Sequence, residues 1–146
     1  MKKDTDFISC LFEEKPVLQS YLDVEAALAK AQAKLGVIPQ WAADTISEKA
    51  NLELLNLDNV HLGLEKTGHP LVPLVWELDR VCGSEAGGYI HWGATTQNIT
   101  QTGKLLLVKK CHQYYKQELG RLLITLAELA ERSKNYACLL YTSPSP

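Results

Sequence analysis

Leu105, Val108, His112, Tyr115, Leu119, Leu122, Leu126 and Leu129 follow one another at alternating steps of three and four residues. That spacing keeps a near-heptad apolar stripe on one face of an α-helix. The pattern predicts a helix of roughly 35 residues, about 50 Å long at 1.5 Å per residue. Such a helix is longer than a small single-core domain is wide, so much of its stripe extends past anything the preceding residues can cover. Two arrangements supply the missing neighbours. One is a coiled-coil dimer; the other is a strand of a large helical bundle whose remaining members lie outside this chain or come from other subunits.

The preceding sequence also reads as helical. Residues 16–35 carry Val17, Leu18, Tyr21, Leu22, Val24, Ala27, Leu28, Ala31 and Leu35 at helical spacing, closed by Gly36 and then Pro39. Further helices are expected over 39–50, 60–66 and 71–81, the last ended by Gly83. Pro73 falls in the short apolar run 71–75, which it fits better as the first turn of a helix than as a strand. The expected fold class is therefore all-α, with strand content near zero. Residues 83–97, rich in glycine and small polar residues, read as a long ordered loop, and long ordered loops are often functional. Asn98, Ile99, Thr100 and Gln101 have the form of a capping box, which starts the long helix at Asn98. The domain organisation expected is an amino-terminal helical domain, 1–97, containing the loop 83–97, followed by a long helix over 98–137.

Composition narrows the partners. With 146 residues, 46% hydrophobic and 22% charged, the chain has the make-up of a globular domain with one core. Its 15 basic and 17 acidic side chains are interspersed, for a formal net charge of -2, so no basic stripe points to nucleic acid or a membrane surface. A small-molecule partner fits better. The charged start from Met1 to Asp6 leads into no apolar leader, and no segment approaches membrane-spanning length, so a cytoplasmic location is expected. Cys10, Cys82, Cys111 and Cys138 are too widely spaced for a disulfide framework or a zinc site. Cys111 and His112 are neighbours that point about 100° apart on a helix and cannot share a metal unaided. No metal is expected.

The last residues, 138–146, break the helical pattern with a run free of charge and rich in serine and proline. They resemble a translated sequencing-adapter tail, so they are expected to be non-native, with the natural chain continuing past Ala137.

The candidate chemistry lies just before the long helix. His91, Gly93, Thr95, Thr96, Gln97 and Asn98 place an imidazole, two hydroxyls and two amides at a helix start. Unpaired N–H groups and the positive end of the helix dipole suit an anion such as a substrate carboxylate, with Thr95 and Thr96 donating hydrogen bonds. Gly93 permits close backbone approach. On physical grounds alone, a capped helix with a polar loop accounts for the same residues equally well.

The stretch from His91 to Thr102 resembles the His-x-Gly-x-Thr-Ser-x-Asp-x-x-x-Thr signature of adenylosuccinate lyases and carboxymuconate cycloisomerases, of the fumarase/aspartase superfamily. His91, Gly93, Thr95 and Thr102 match it. Thr96 replaces the usual Ser and keeps a hydroxyl; Asn98 replaces the usual Asp and loses a charge; Gln101 replaces a frequent Asp. Upstream, Val24-Glu25-Ala26-Ala27-Leu28-Ala29 followed by Gly36-Val37-Ile38-Pro39 looks like the first helix of these enzymes. Thr67-Gly68-His69-Pro70 falls where the lyases carry Thr-x-His-Asp and the cycloisomerases Gly-Asn-Pro. His69 is accordingly read either as a substrate or acid/base histidine or as an exposed helix cap.

The resemblance implies a homotetramer around a central bundle of long helices, the stripe after Asn98 supplying the first of them, with each active site assembled from three subunits. It also implies cofactor-free elimination or cycloisomerisation of a polycarboxylate, in which a base removes a proton beside a carboxylate and an acid assists the leaving group. His91 would be catalytic and substrate-binding, His69 a second catalytic candidate, and Thr95, Thr96, Gln97 and Asn98 substrate-binding. The family's Gly-Arg-Thr-His region and Gly-Ser-Ser loop belong beyond Ala137, so no turnover is expected from this chain alone. The competing readings are a non-catalytic helical interaction module and a degenerate lyase that binds without turnover. Gly103-Lys104 does not complete a phosphate loop, because Asn98 and Leu105 stand where glycine and a hydroxyl residue are required.

Overall fold

The structure, a computed structural model, describes residues 2–136, with side chains from Phe7 onward. Six α-helices follow in order among these residues: α1 (Lys2–Leu11), α2 (Glu14–Lys34), α3 (Gln40–Lys49), α4 (Leu57–Thr67), α5 (Leu71–Ala86) and α6 (Thr96–Ser133). Short 3-10 turns lie at Leu52–Leu54 and Gly87–Tyr89, and no strand occurs among the described residues. The fold class is all-α, as expected. The expected non-native tail, 138–146, lies outside the described residues.

Two compact units divide the chain between Lys109 and Lys110. The first unit holds the core. Leu18, Tyr21 and Leu22 of α2 join Ile46 of α3, Val60 of α4, Leu71, Leu74 and Leu78 of α5, and Ile99 of α6. The second unit carries the remainder of α6, where Leu119, Leu122, Leu126 and Leu129 are each at least 50% exposed.

Local sequence explains the helix limits. The α2 helix ends where Gly36 takes φ 71° and Val37 N donates back to Gln32 O at 2.9 Å, leaving Pro39 to open α3. The α4 helix starts earlier than its apolar pattern indicates, because Asn56 Oδ1 accepts from Asp58 N and Asn59 N and so caps the helix ahead of Val60. Pro73 sits buried in the first turn of α5, where a missing N–H costs no intrahelical bond. A Cβ on Gly63 of α4 would overlap Pro73, so these two helices meet backbone to ring.

Three expectations require correction. First, α1 and the turn Leu52–Leu54 were not foreseen, since neither carries a long apolar period. Second, 83–97 is not one loop: Gly83 interrupts α5 at φ 79° and ψ 168°, but the helix resumes to Ala86 and the Gly87–Tyr89 turn follows. Ala86 and Gly87 are buried, and buried backbone must find hydrogen bonds locally, which helical turns provide. Third, α6 starts at Thr96 rather than Asn98. Thr95 takes the capping place, its Oγ1 accepting from Asn98 N at 3.4 Å and its carbonyl from Ile99 N at 3.3 Å. Asn98 is thereby moved into the first turn, with its side chain released from capping.

Candidate functional site

The site is built where α2 faces the segment between the Gly87–Tyr89 turn and α6. Leu18, Tyr21, Leu22, Glu25 and Ala29 form the buried stripe of α2, and Glu25 is the acidic member of it. Its carboxylate is almost fully enclosed, with side-chain exposure of 1%. Glu25 Oε1 lies 2.6 Å from His91 Nδ1, whose ring is 20% exposed. Burial pushes the Glu25 carboxyl above the usual carboxylate range, while the hydrogen bond and charge of His91 pull it back. Glu25 Oε2 is buried with no hydrogen-bond partner.

His91 adopts φ 58°, and Gly93 follows at φ 65°. These two left-handed residues turn the chain sharply before α6. Gln32 Nε2 of α2 donates to Trp92 O at 2.6 Å, fixing the turn from the other side. An open cavity of ≈ 340 Å³ lies against this turn, lined by Val24, Ala27 and Leu28 of α2, by Gly93 and Ala94, and by Asn98, Ile99 and Thr102 of α6. Its walls are apolar on the α2 side and polar at Asn98 and Thr102.

The first turn of α6 supplies the donors. Thr95 takes up the N–H groups of Asn98 and Ile99, which leaves those of Thr96 and Gln97 at the positive end of the helix dipole. Thr96 and Gln97 accept only through their carbonyls, from Thr100 Oγ1 at 3.0 Å and 3.2 Å. No side-chain hydrogen bond engages Thr96, Gln97 or Asn98 among the described residues, and Gln97 and Asn98 are exposed. Thr95 is exposed as well, although its hydroxyl oxygen already serves as a cap.

His69 lies apart, at the junction of α4 and α5. Gly68 ends α4 at φ 65°, His69 N donates to Thr67 Oγ1 at 3.3 Å, and Leu71 N donates to His69 Nδ1 at 3.2 Å. The ring thus caps α5 with one nitrogen and retains Nε2 for other contacts. Among the described residues no group of three or more His, Cys, Asp or Glu is arranged to hold a metal ion. No helix among them is long and apolar enough to cross a membrane.

No protein-family model matches the chain. Against curated proteins it is 40% identical over 129 residues to adenylosuccinate lyase of Methanocaldococcus jannaschii, an alignment covering 88% of this chain and 28% of that enzyme. It is 35% identical over 125 residues to 3-carboxy-cis,cis-muconate cycloisomerase of Pseudomonas aeruginosa, covering 84% of this chain and 27% of that one. Among solved structures, fumarate lyase from Mesorhizobium sp. BNC1 matches with a TM-score of 0.80 and 35% identity, over 87% of this chain and 30% of that chain. The chain belongs to the fumarase/aspartase superfamily.

It spans less than a third of the length of these superfamily relatives. Sequence reasoning singled out His91 and the Thr95–Asn98 cluster as a superfamily signature but passed over Glu25 as a functional group. A signal was present: Glu25 falls on the same helical stripe as Leu18, Tyr21 and Leu22, where a carboxylate is out of place unless something pairs with it. What pairs with it is 66 residues away in sequence, a separation no local pattern reveals.

Proposed function

We propose that this chain is the amino-terminal part of a superfamily enzyme that performs cofactor-free elimination or cycloisomerisation on a polycarboxylate, and that it supplies the carboxylate-holding end of the active site. The observation that carries this reading is the juxtaposition of an anchored imidazole, His91, with a first helical turn in which the side chains of Thr96, Gln97 and Asn98 have no hydrogen-bond partner among the described residues. His91, Thr96, Gln97 and Asn98 would donate to a substrate carboxylate, assisted by the N–H groups of α6. Thr95 would contribute both by holding that turn and by its own hydroxyl. A base from elsewhere in the assembled enzyme would take the proton beside that carboxylate, and the donors would stabilise the charge that develops on its oxygens. His69 is retained as a second acid/base candidate through Nε2. In this reading α6 is the first strand of a tetrameric bundle, and its first turn brings the site's donors to the start of that strand.

The test uses an enzyme carrying this chain as its amino-terminal segment. Thr96→Ala and His91→Ala are expected to lower kcat/KM by on the order of a hundredfold, with the oligomeric state intact by light scattering. Unchanged kinetics would remove the substituted residue from the site. A second reading, a non-catalytic helical interaction module, is favoured by the exposure of Leu119, Leu122, Leu126 and Leu129. Absence of lyase or cycloisomerase activity from the complete gene product would select it.

A further inference from the structure

We propose that Glu25 is a positioning residue for His91: it accepts a hydrogen bond from Nδ1–H, fixes the ring's orientation and tautomer, and leaves Nε2 as the nitrogen that meets substrate. The inference rests on the reading that His91 contacts substrate, and goes beyond it by assigning the residue that prepares His91 for the task.

Two unfavourable features converge on this one pair. Glu25 places a carboxylate with 1% side-chain exposure on the buried stripe of α2, and Oε2 there has no hydrogen-bond partner. A leucine of similar size would suit the packing better. His91 is the one non-glycine residue with positive φ among the described residues, a conformation that most side chains avoid. Both features are accounted for if the contact between them is what has been selected. The left-handed turn brings the ring back onto α2, and the buried carboxylate meets Nδ1 at 2.6 Å, the short range of a charge-assisted bond. A purely structural histidine could be held by any carbonyl on the surface. Holding it with an enclosed carboxylate determines which ring nitrogen carries the proton, because the partner of one nitrogen sets the state of the other. With Nδ1–H committed to Glu25, Nε2 is the nitrogen left for substrate: in the neutral ring its free lone pair accepts a proton, and as Nε2–H it donates to a substrate carboxylate once that proton is held.

The experiment reads the tautomer directly. In the 15N-labelled chain at mildly alkaline pH, long-range 1H–15N correlation of the His91 ring is expected to show a protonated Nδ1 and a bare Nε2. Glu25→Leu should abolish that signature, and Glu25→Gln, which keeps a carbonyl acceptor, should retain it. In the complete enzyme Glu25→Leu should lower kcat/KM by on the order of a hundredfold, with substantial recovery in Glu25→Gln. A wild-type ring protonated on Nε2 with Nδ1 bare overturns the proposal, since Glu25 would then be the donor. So does a Glu25→Leu enzyme with unchanged kcat/KM. If instead His91→Ala leaves kcat/KM unchanged while the tautomer is as expected, the substrate-binding reading of His91 fails and the Glu25 contact is structural.

Discussion

Glu77 in α5 is buried to 6% exposure, yet it is fully engaged: Arg80 Nε and Nη2 donate to its carboxylate, as do Asn59 Nδ2 at 2.9 Å and Asn56 N at 3.1 Å. These contacts tie the start of α4 to the middle of α5. The Arg80 guanidinium, aided by the two asparagines, holds the carboxyl down at about 2 against the opposing effect of burial. A depressed folded value means the contribution is complete above the ordinary carboxylate range and is lost as pH falls from about 4.5 toward about 2. Glu77→Gln should cost about 1–3 kcal/mol at neutral pH, and the gap from wild type should narrow through that acidic window. Urea unfolding at a series of pH values measures it; a gap independent of pH would mean the charge is irrelevant. Glu77 and Glu25 are both buried acids in helices, but burial dominates only at Glu25, where a single histidine replaces Glu77's guanidinium and amides. Sequence marks Glu25 as a carboxylate on an apolar stripe but does not name its partner, because His91 arrives from another element, as Asn56 and Asn59 do at Glu77.

At the scale of elements, α6 meets α2 at Gly103. A Cβ there would lie 2.6 Å from the Tyr21 ring and 2.8 Å from Ser20 Oγ, closer than real contacts allow. Gly103→Ala should therefore force the two helices apart and destabilise the fold by about 1–3 kcal/mol, despite alanine's better helix propensity. Thermal unfolding followed by circular dichroism checks it, and a rise in melting temperature would show the crossing to be slack. The sequence could exclude a phosphate loop at Gly103-Lys104 but could not supply this packing reason. Helices α2 and α3, by contrast, were legible to within about two residues, because apolar spacing, Gly36 and Pro39 agree. The start of α6 was less so: both Thr95 and Asn98 are good caps, and the sharp turn made by His91 and Gly93, which decides between them, has no sequence period. The same turn is why the candidate site was legible as a list of residues but not as an arrangement.

For the molecule as a whole, the second unit presents a stripe with too little to cover it. Leu119 is 58% exposed, Leu122 52%, and Leu126 and Leu129 50% each. Burying one leucine side chain fully contributes roughly 1.5–3 kcal/mol, so four on one helix form a strong incentive to associate, larger than ion pairs such as that of Arg121 with Glu118 can offset on an exposed surface. The chain at micromolar concentration is therefore expected to be larger than a monomer by size exclusion with light scattering. Replacing Leu119, Leu122 and Leu126 together by Glu should return it toward the monomer while the first unit, whose core includes none of these residues, keeps its unfolding transition. The form of the association carries further information. A single well-defined dimer would mean that two copies of α6 satisfy each other, as a coiled-coil module requires. Open-ended aggregation would mean that the stripe needs surfaces this chain does not contain, as a lone strand of a superfamily bundle would. A wild-type chain that stays monomeric with α6 intact would contradict both, and with them the long stripe as the feature that governs the fold.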